Sequence, residues 1–118
     1  SQLESTIVAE GCYLDRCTIA SSVVGIRTRV SPGASITRSV LLGADYYEED
    51  TAANAIPLGI GRDVVLDRVI VDKNARIGDG VRLVNEAGVE HADGDGYFIR
   101  NGIIIVPKSA RVGAGVVV

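Results

Sequence analysis

Two lysines occupy equivalent positions in two similar segments of the chain. Lys73 lies in VDKNA and Lys108 lies in VPKSA, each two residues before an alanine. An ammonium group on a flexible stem is a point charge that suits phosphate or carboxylate ligands. The equal offset predicts that both side chains project from comparable points of the structure, close together if the intervening sequence forms a whole number of strands. The pair is a candidate anion site, and two ordinary solvated lysines are the alternative.

The single histidine is the only candidate general base. His91 lies beside Glu90 and close to Asp93 in an acidic, glycine-rich segment, which is typical of a solvated loop. A metal-dependent hydratase would need several histidines around one ion. The chain also has no glycine-rich phosphate loop followed by Lys and Ser or Thr, and no Cys–His or Ser–His pair in a suitable context. The sequence therefore predicts no catalytic residue and no metal site.

Acidic residues and cysteines offer weaker candidates for chemistry. Four carboxylates lie close together in the sequence: Asp45, Glu48, Glu49 and Asp50. They suit either a cation site or a solvated loop, and we expect the solvated loop. Cys12 and Cys17 have no partners at zinc-ligand spacing, so we expect two reduced thiols, with Cys12 in an interior position.

A six-residue period identifies the elements that must hold these side chains. An aliphatic residue recurs every six positions, usually with a small or β-branched residue four places later. The pattern runs through Val8/Cys12, Leu14/Thr18, Val24/Thr28, Val30/Ala34, Ile36/Val40, Leu42, Ile60/Val64, Leu66/Ile70, Val71/Ala75, Ile77/Val81, Leu83, Val106/Ala110, Val112/Val116 and Val118. This period fits neither a helix nor a plain alternating strand, but it is typical of solenoids in which three hexapeptides complete a coil. We predict an all-β, left-handed parallel β-helix that forms one domain over residues 1–118; the hand is taken from known hexapeptide proteins.

Two segments interrupt the period and are predicted to be loop insertions. They are residues 43–57 and residues 85–96. Within the regular repeats, glycine is expected at corners where a positive φ is needed, as at Gly78, Gly80, Gly113 and Gly115. Solenoid ends need a cap, a neighbouring domain or a partner subunit, and residues 116–118 offer no polar cap. Association is therefore expected.

Composition excludes several classes of partner. The chain of 118 residues has a net charge of −3, with 47% hydrophobic and 4% aromatic residues. Because no basic stripe is interleaved with aromatics, nucleic acid and anionic membranes are poor candidates. No apolar run has the length of a membrane span. Reduced cysteines favour a cytosolic origin.

Four segments carry a resemblance to a known family. They are residues 41–48 (LLGADYYE), 56–63 (IPLGIGRD), 71–81 (VDKNARIGDGV) and 95–110 (DGYFIRNGIIIVPKSA). Together they resemble the C-terminal domain of glucose-1-phosphate adenylyltransferase, also called ADP-glucose pyrophosphorylase, most closely its plant and cyanobacterial type. The resemblance implies an enzyme that makes ADP-glucose and pyrophosphate from ATP and glucose 1-phosphate for glycogen or starch synthesis. Its catalytic domain lies N-terminal to the β-helix and uses Mg²⁺ with ATP, so this chain alone is expected to be inactive and to hold no cofactor.

The resemblance also implies a regulatory site and partners. In the plant and cyanobacterial branch 3-phosphoglycerate activates and phosphate inhibits, and Lys73 and Lys108 match activator ligands there. The implied partners are the N-terminal catalytic domain, further copies in a tetramer, and a phosphorylated metabolite. The implied location is the bacterial cytoplasm, or the plastid in a plant. Arg62, where plant sequences often have lysine, and the short segment 45–57 leave the effector's identity open.

Two other readings remain open from the sequence. One is a stand-alone trimeric hexapeptide acyltransferase that binds acyl-CoA between subunits and uses His91 as its general base. The other is a purely structural solenoid whose lysines bind nothing.

Overall fold

Three narrow β-sheets wind around one aliphatic interior. The computed structural model describes residues 2–45 and 58–118, and every regular element within them is a β-strand. Strands are numbered in chain order, and successive strands pass from one sheet to the next except for β14, β15 and β16, which lie in the same sheet. This confirms the predicted all-β solenoid. Within the described ranges there is no helix of the length and apolarity that a membrane crossing requires.

The first and third sheets each contain five parallel strands. The first comprises β1 (Gln2–Glu4), β4 (Thr18–Ala20), β7 (Ser35–Thr37), β10 (Val65–Asp67) and β13 (Arg82–Leu83). The third comprises β3 (Tyr13–Leu14), β6 (Arg29–Val30), β9 (Gly59–Ile60), β12 (Arg76–Ile77) and β17 (Arg111–Val112).

The second sheet is longer and ends in an antiparallel hairpin. Its parallel strands are β2 (Ile7–Val8), β5 (Val23–Val24), β8 (Val40–Leu41), β11 (Val69–Val71) and β16 (Ile103–Val106), and its antiparallel strands are β14 (His91–Asp93) and β15 (Phe98–Arg100). Strand β15 pairs with β16, and β14 pairs with β15. The prediction of a loop over residues 85–96 is therefore wrong in part, because His91–Asp93 forms an edge strand. Of the other predicted insertion, residues 46–57 lie outside the described part of the chain.

Stacked aliphatic side chains fill the interior. Ile19, Ile36, Leu66 and Leu83 follow one another across the paired strands of the first sheet, and all four are fully buried. β-branched and leucine side chains suit such flat, stacked strands because they pack well on a pleated, buried surface. The inward positions predicted for Ile36, Leu66 and Leu83 are confirmed here. On β4 the prediction is wrong, because the period selects Thr18, which is exposed, and Ile19 is the buried residue.

One corner of the coil is shorter than the hexad pattern predicts. Ile19 pairs with Ile36, seventeen positions later, which is one residue fewer than three hexads supply. The missing residue falls between the first and second sheets, at residues 21–22, 38–39 and 68–69, here called the short corner. The predicted inward position of Leu42 is therefore wrong: Leu42 is 40% exposed, and Leu41 is 2% exposed. Ile70 is displaced in the same way, because Val69 and Val71 are the buried residues there.

Buried hydroxyl groups hold the short corner together. Ser22 and Ser39 are both buried, and the Ser39 N–H donates to Ser22 Oγ at 3.1 Å. The Val69 N–H in turn donates to Ser39 Oγ at 3.2 Å, and that hydroxyl donates to the Thr37 carbonyl at 2.8 Å. A serine oxygen thus bonds the backbone of the next coil where the aliphatic pattern fails.

The two remaining predictions about small residues have mixed outcomes. Gly80 and Gly115 adopt φ of 69° and 76°, as expected for corner glycines. Gly78 serves a close approach instead, because a Cβ there would lie 2.7 Å from the Ala114 nitrogen. Both cysteines are free thiols; Cys17 is the buried one, and Cys12 is only partly buried.

Candidate anion-binding corner

Lys73 and Lys108 lie on successive coils of the same corner. Strands β11 and β16 pair in register, with Val71 opposite Val106, and each lysine comes two residues after its paired valine. The Ser109 N–H then donates to the Lys73 carbonyl at 2.9 Å, which extends the pairing through the turn. The hairpin insertion is therefore accommodated without displacing the next coil. The expectation that the two lysines lie close together is confirmed.

The backbone of this corner is held in an unusual conformation. The residues that follow the lysines, Asn74 and Ser109, have φ of 61° and 60°. Asparagine tolerates this left-handed region better than most residues. The Asn74 N–H donates to the Gly43 carbonyl at 3.1 Å, and the Lys73 N–H donates to Asp72 Oδ1 at 2.7 Å. These bonds fix where the Lys73 side chain leaves the coil.

Asp45 joins its own coil to the coil of Lys73 through a reciprocal pair of hydrogen bonds with Asn74. The Asp45 N–H donates to Asn74 Oδ1 at 2.9 Å, and Asn74 Nδ2 donates to Asp45 Oδ2 at 3.1 Å. The other carboxylate oxygen accepts from Lys73 Nζ at 3.2 Å. The side chains of Lys73 and Asp45 are each 45% exposed, so the ion pair is open to solvent and to solutes.

The positive charges of the corner act together on that carboxylate. The hydrogen bond from Asn74 lowers the pKa of Asp45 most, followed by the hydrogen bond from Lys73, while partial desolvation opposes them. The charges of Lys73 and Lys108 lower this pKa further. Both lysines thus act on one anionic group, Lys73 through a hydrogen bond and its charge and Lys108 through its charge.

An arginine extends the cationic surface along the same corner. We name residues 10–11, 26–27, 43–44, 73–74 and 108–109 the lysine corner, because their backbones bond one coil to the next. Arg27 Nε donates to the Ala44 carbonyl at 2.9 Å, directly before Asp45. An open depression of about 240 Å³ is lined by Glu10, Gly11, Ile26 and Arg27. Arg27 was not predicted from the sequence, because nothing distinguishes it from the nine other arginines of the chain.

Of the other sequence candidates, Asp45 lies at the lysine corner, and His91 and Arg62 lie elsewhere. His91 is exposed on the edge strand β14, opposite Arg100. Arg62 belongs to a different corner, between the third and first sheets, where its N–H donates to Asp79 Oδ1. Asp45 bonds Lys73 and Asn74, and the acidic residues 48–50 fall outside the described ranges. Among residues 2–45 and 58–118, no group of three or more histidine, cysteine or carboxylate side chains is placed to hold a metal ion.

The second sheet, which leads into the lysine corner, has an apolar outer face. One outward row contains apolar residues on six strands in register: Ile7, Val23, Val40, Ile70, Ile105 and Phe98. On the seventh strand, β14, the row ends at Asp93. The corresponding row of the first sheet contains Gln2, Thr18, Ser35, Val65 and Arg82. Contiguous apolar surface of this kind is a candidate interaction site. We call the six-residue row the apolar stripe.

A comparison with protein families agrees with this architecture. The model of the GLGC left-handed parallel beta-helix domain matches residues 1–117. The match covers nearly the whole chain and agrees with the left-handed winding predicted for the coil. The chain thus belongs to the left-handed β-helix family that forms the C-terminal domain of glucose-1-phosphate adenylyltransferase, a nucleotidyltransferase.

Proposed function

We propose that this domain is the regulatory and assembly module of a glucose-1-phosphate adenylyltransferase. The enzyme would make ADP-glucose and pyrophosphate for glycogen or starch synthesis. The observation that supports a regulatory role is the stacking of Lys73 and Lys108 on adjacent coils, where both charges act on one carboxylate. A phosphorylated metabolite is the ligand class that suits two neighbouring ammonium groups. Whether the enzyme is of the plant or cyanobacterial type stays a prediction.

Regulation would operate by a population shift. An anion bound at the lysine corner would bridge Lys73 and Lys108 to basic groups of the N-terminal catalytic domain in the active arrangement. Only a difference in affinity between the two arrangements can produce activation. Inorganic phosphate would occupy the same charges without making the bridge, and would therefore inhibit. Catalysis, with Mg²⁺ and ATP, belongs to the catalytic domain in this proposal.

The apolar stripe is the proposed contact with that catalytic domain. It runs along the second sheet, and strands β11 and β16 of this sheet lead directly to Lys73 and Lys108. A domain packed on the stripe would therefore lie beside the lysine corner, as the bridging mechanism requires. We further propose that the enzyme is a homotetramer and acts in the bacterial cytoplasm or in a plastid.

Activator titration of the full-length enzyme tests the regulatory role. We expect Lys73→Ala and Lys108→Ala each to raise the activator concentration for half-maximal activation by about tenfold, since each removes one charged hydrogen bond to the ligand. The titrations use 3-phosphoglycerate, fructose 6-phosphate and fructose 1,6-bisphosphate in parallel, because the effector's identity is open.

Arg82→Ala is the matched control. Arg82 is a cation on the first sheet whose side chain is 45% exposed, as that of Lys73 is. Its loss is expected to leave the activation curve in place. Unchanged curves for both lysine variants, with every activator that stimulates the wild-type enzyme, would overturn the proposal.

A further inference from the structure

We propose that Asp45 is a built-in competitor for the anion at the lysine corner. In the absence of ligand the carboxylate is paired with the Lys73 ammonium group. An incoming phosphate must displace the carboxylate before the phosphate contacts both ammonium groups. The inference rests on the proposed anion site. It adds a regulatory residue that sets the affinity of that site without itself binding the ligand.

The contacts of Asp45 are those of a positioned group. Its N–H is bonded to Asn74 Oδ1, and its Oδ2 accepts from Asn74 Nδ2, so both backbone and side chain are held by one residue. The remaining oxygen, Oδ1, faces Lys73 Nζ at 3.2 Å. Asn74 in turn is fixed to the preceding coil by a hydrogen bond from its N–H to the Gly43 carbonyl. The carboxylate is thereby held next to the ammonium group that the ligand needs.

The charges of the lysine corner favour replacement of the Asp45 carboxylate by a phosphate anion. Lys73 and Lys108 supply two positive charges, and Asp45 neutralises one of them. A phosphate dianion interacts more strongly with the pair than one carboxylate does. Because the Lys73–Asp45 pair is half exposed, it is weak and screened by water and salt, so an anion in solution can replace it. Asp45 therefore raises the ligand concentration at which the corner fills.

The test is a titration of the 118-residue chain with inorganic phosphate at constant ionic strength. NMR signals of the Lys73 and Lys108 side chains report binding at the corner. We expect Asp45→Asn to bind phosphate about two- to fivefold more tightly than the wild type, as follows from removing one exposed ion pair. The asparagine keeps an oxygen that can accept from Asn74, so the corner is expected to stay folded. In a Lys73→Ala background the gain from Asp45→Asn should disappear.

Asp93→Asn is the matched control, because it removes the same charge and releases Arg100 from an exposed ion pair on the hairpin. It should leave phosphate binding at the lysines unchanged. If phosphate shifts neither lysine signal in the wild type or in Asp45→Asn, the proposed anion site itself fails. If the wild type binds through both lysines but Asp45→Asn binds no more tightly, only the competitor role is overturned. An equal gain in Asp93→Asn, or a gain that persists without Lys73, would also overturn it, because the effect would then be one of net charge.

Discussion

Removal of the Ser39 hydroxyl provides a quantitative test of the short corner. In Ser39→Ala the Val69 N–H loses its acceptor, and the Thr37 carbonyl loses a donor, at a site where Ser39 is 2% exposed. A buried donor without a partner costs about 1–3 kcal/mol. Since alanine leaves almost no cavity beyond the missing oxygen, we expect a loss of about 2 kcal/mol in the free energy of unfolding.

Urea unfolding of the 118-residue chain measures this loss, with the slope of the transition expected to stay unchanged. Amide hydrogen exchange adds a local readout, because the Val69 N–H should exchange faster in the variant. Ser35→Ala is the control: Ser35 lies on the outer row of β7, and its loss should change stability by less than about 0.5 kcal/mol. A Ser39→Ala protein as stable as the wild type, with Val69 equally protected, would refute the role of the hydroxyl.

Two further predictions concern the apolar stripe and the charge of Asp45. In the full-length enzyme, Ile70→Glu should reduce the extent of activation, because a carboxylate would be buried at the domain contact. The control is Val65→Glu, at a comparable outward position on the first sheet, which should leave activation unchanged. Equal effects of the two substitutions would contradict the role of the apolar stripe. In an NMR titration of the Asp45 carboxylate, the pKa should rise in Asn74→Gly, which removes the hydrogen bond that lowers it most, and also in Lys73→Ala, which removes a hydrogen bond and a charge. Because the folded-state pKa is lowered, the stabilisation from these contacts is present above the unfolded value and is lost as the pH falls through the folded value. An unchanged pKa of Asp45 in both variants would contradict the role of these contacts.

The hexad period predicted the solenoid because its aliphatic residues are the ones that face inward. Ile36, Ile77 and Leu83 are buried where the period places them. It failed at the short corner, where Ser39 takes an inward position without being aliphatic. A prediction based on aliphatic residues alone is then out of register by one residue, and it places Leu42 in the interior instead of Leu41. Hydroxyl groups that bond the backbone carry no hydrophobic signal, so periodicity cannot detect them.

The hairpin and the position of Asp45 also could not be predicted from the period. Strand β14 has no clear hydrophobic pattern, because it lies in an acidic, glycine-rich segment and only Ala92, between His91 and Asp93, turns toward the interior. The pairing of Lys73 with Lys108 was predictable from their equal offsets. The position of Asp45 was not, because it lies at the start of a break in the period and has no repeat-derived partner. Its contact with Lys73 is made across the coils and depends on the fold.

The most direct test of the regulatory proposal is a crystal structure of the full-length enzyme with a phosphorylated activator. We expect a phosphate group within hydrogen-bond distance of both Lys73 Nζ and Lys108 Nζ, with Asp45 no longer bonded to Lys73. An activator bound elsewhere, with both ammonium groups in solvent and the Asp45 ion pair intact, would contradict it.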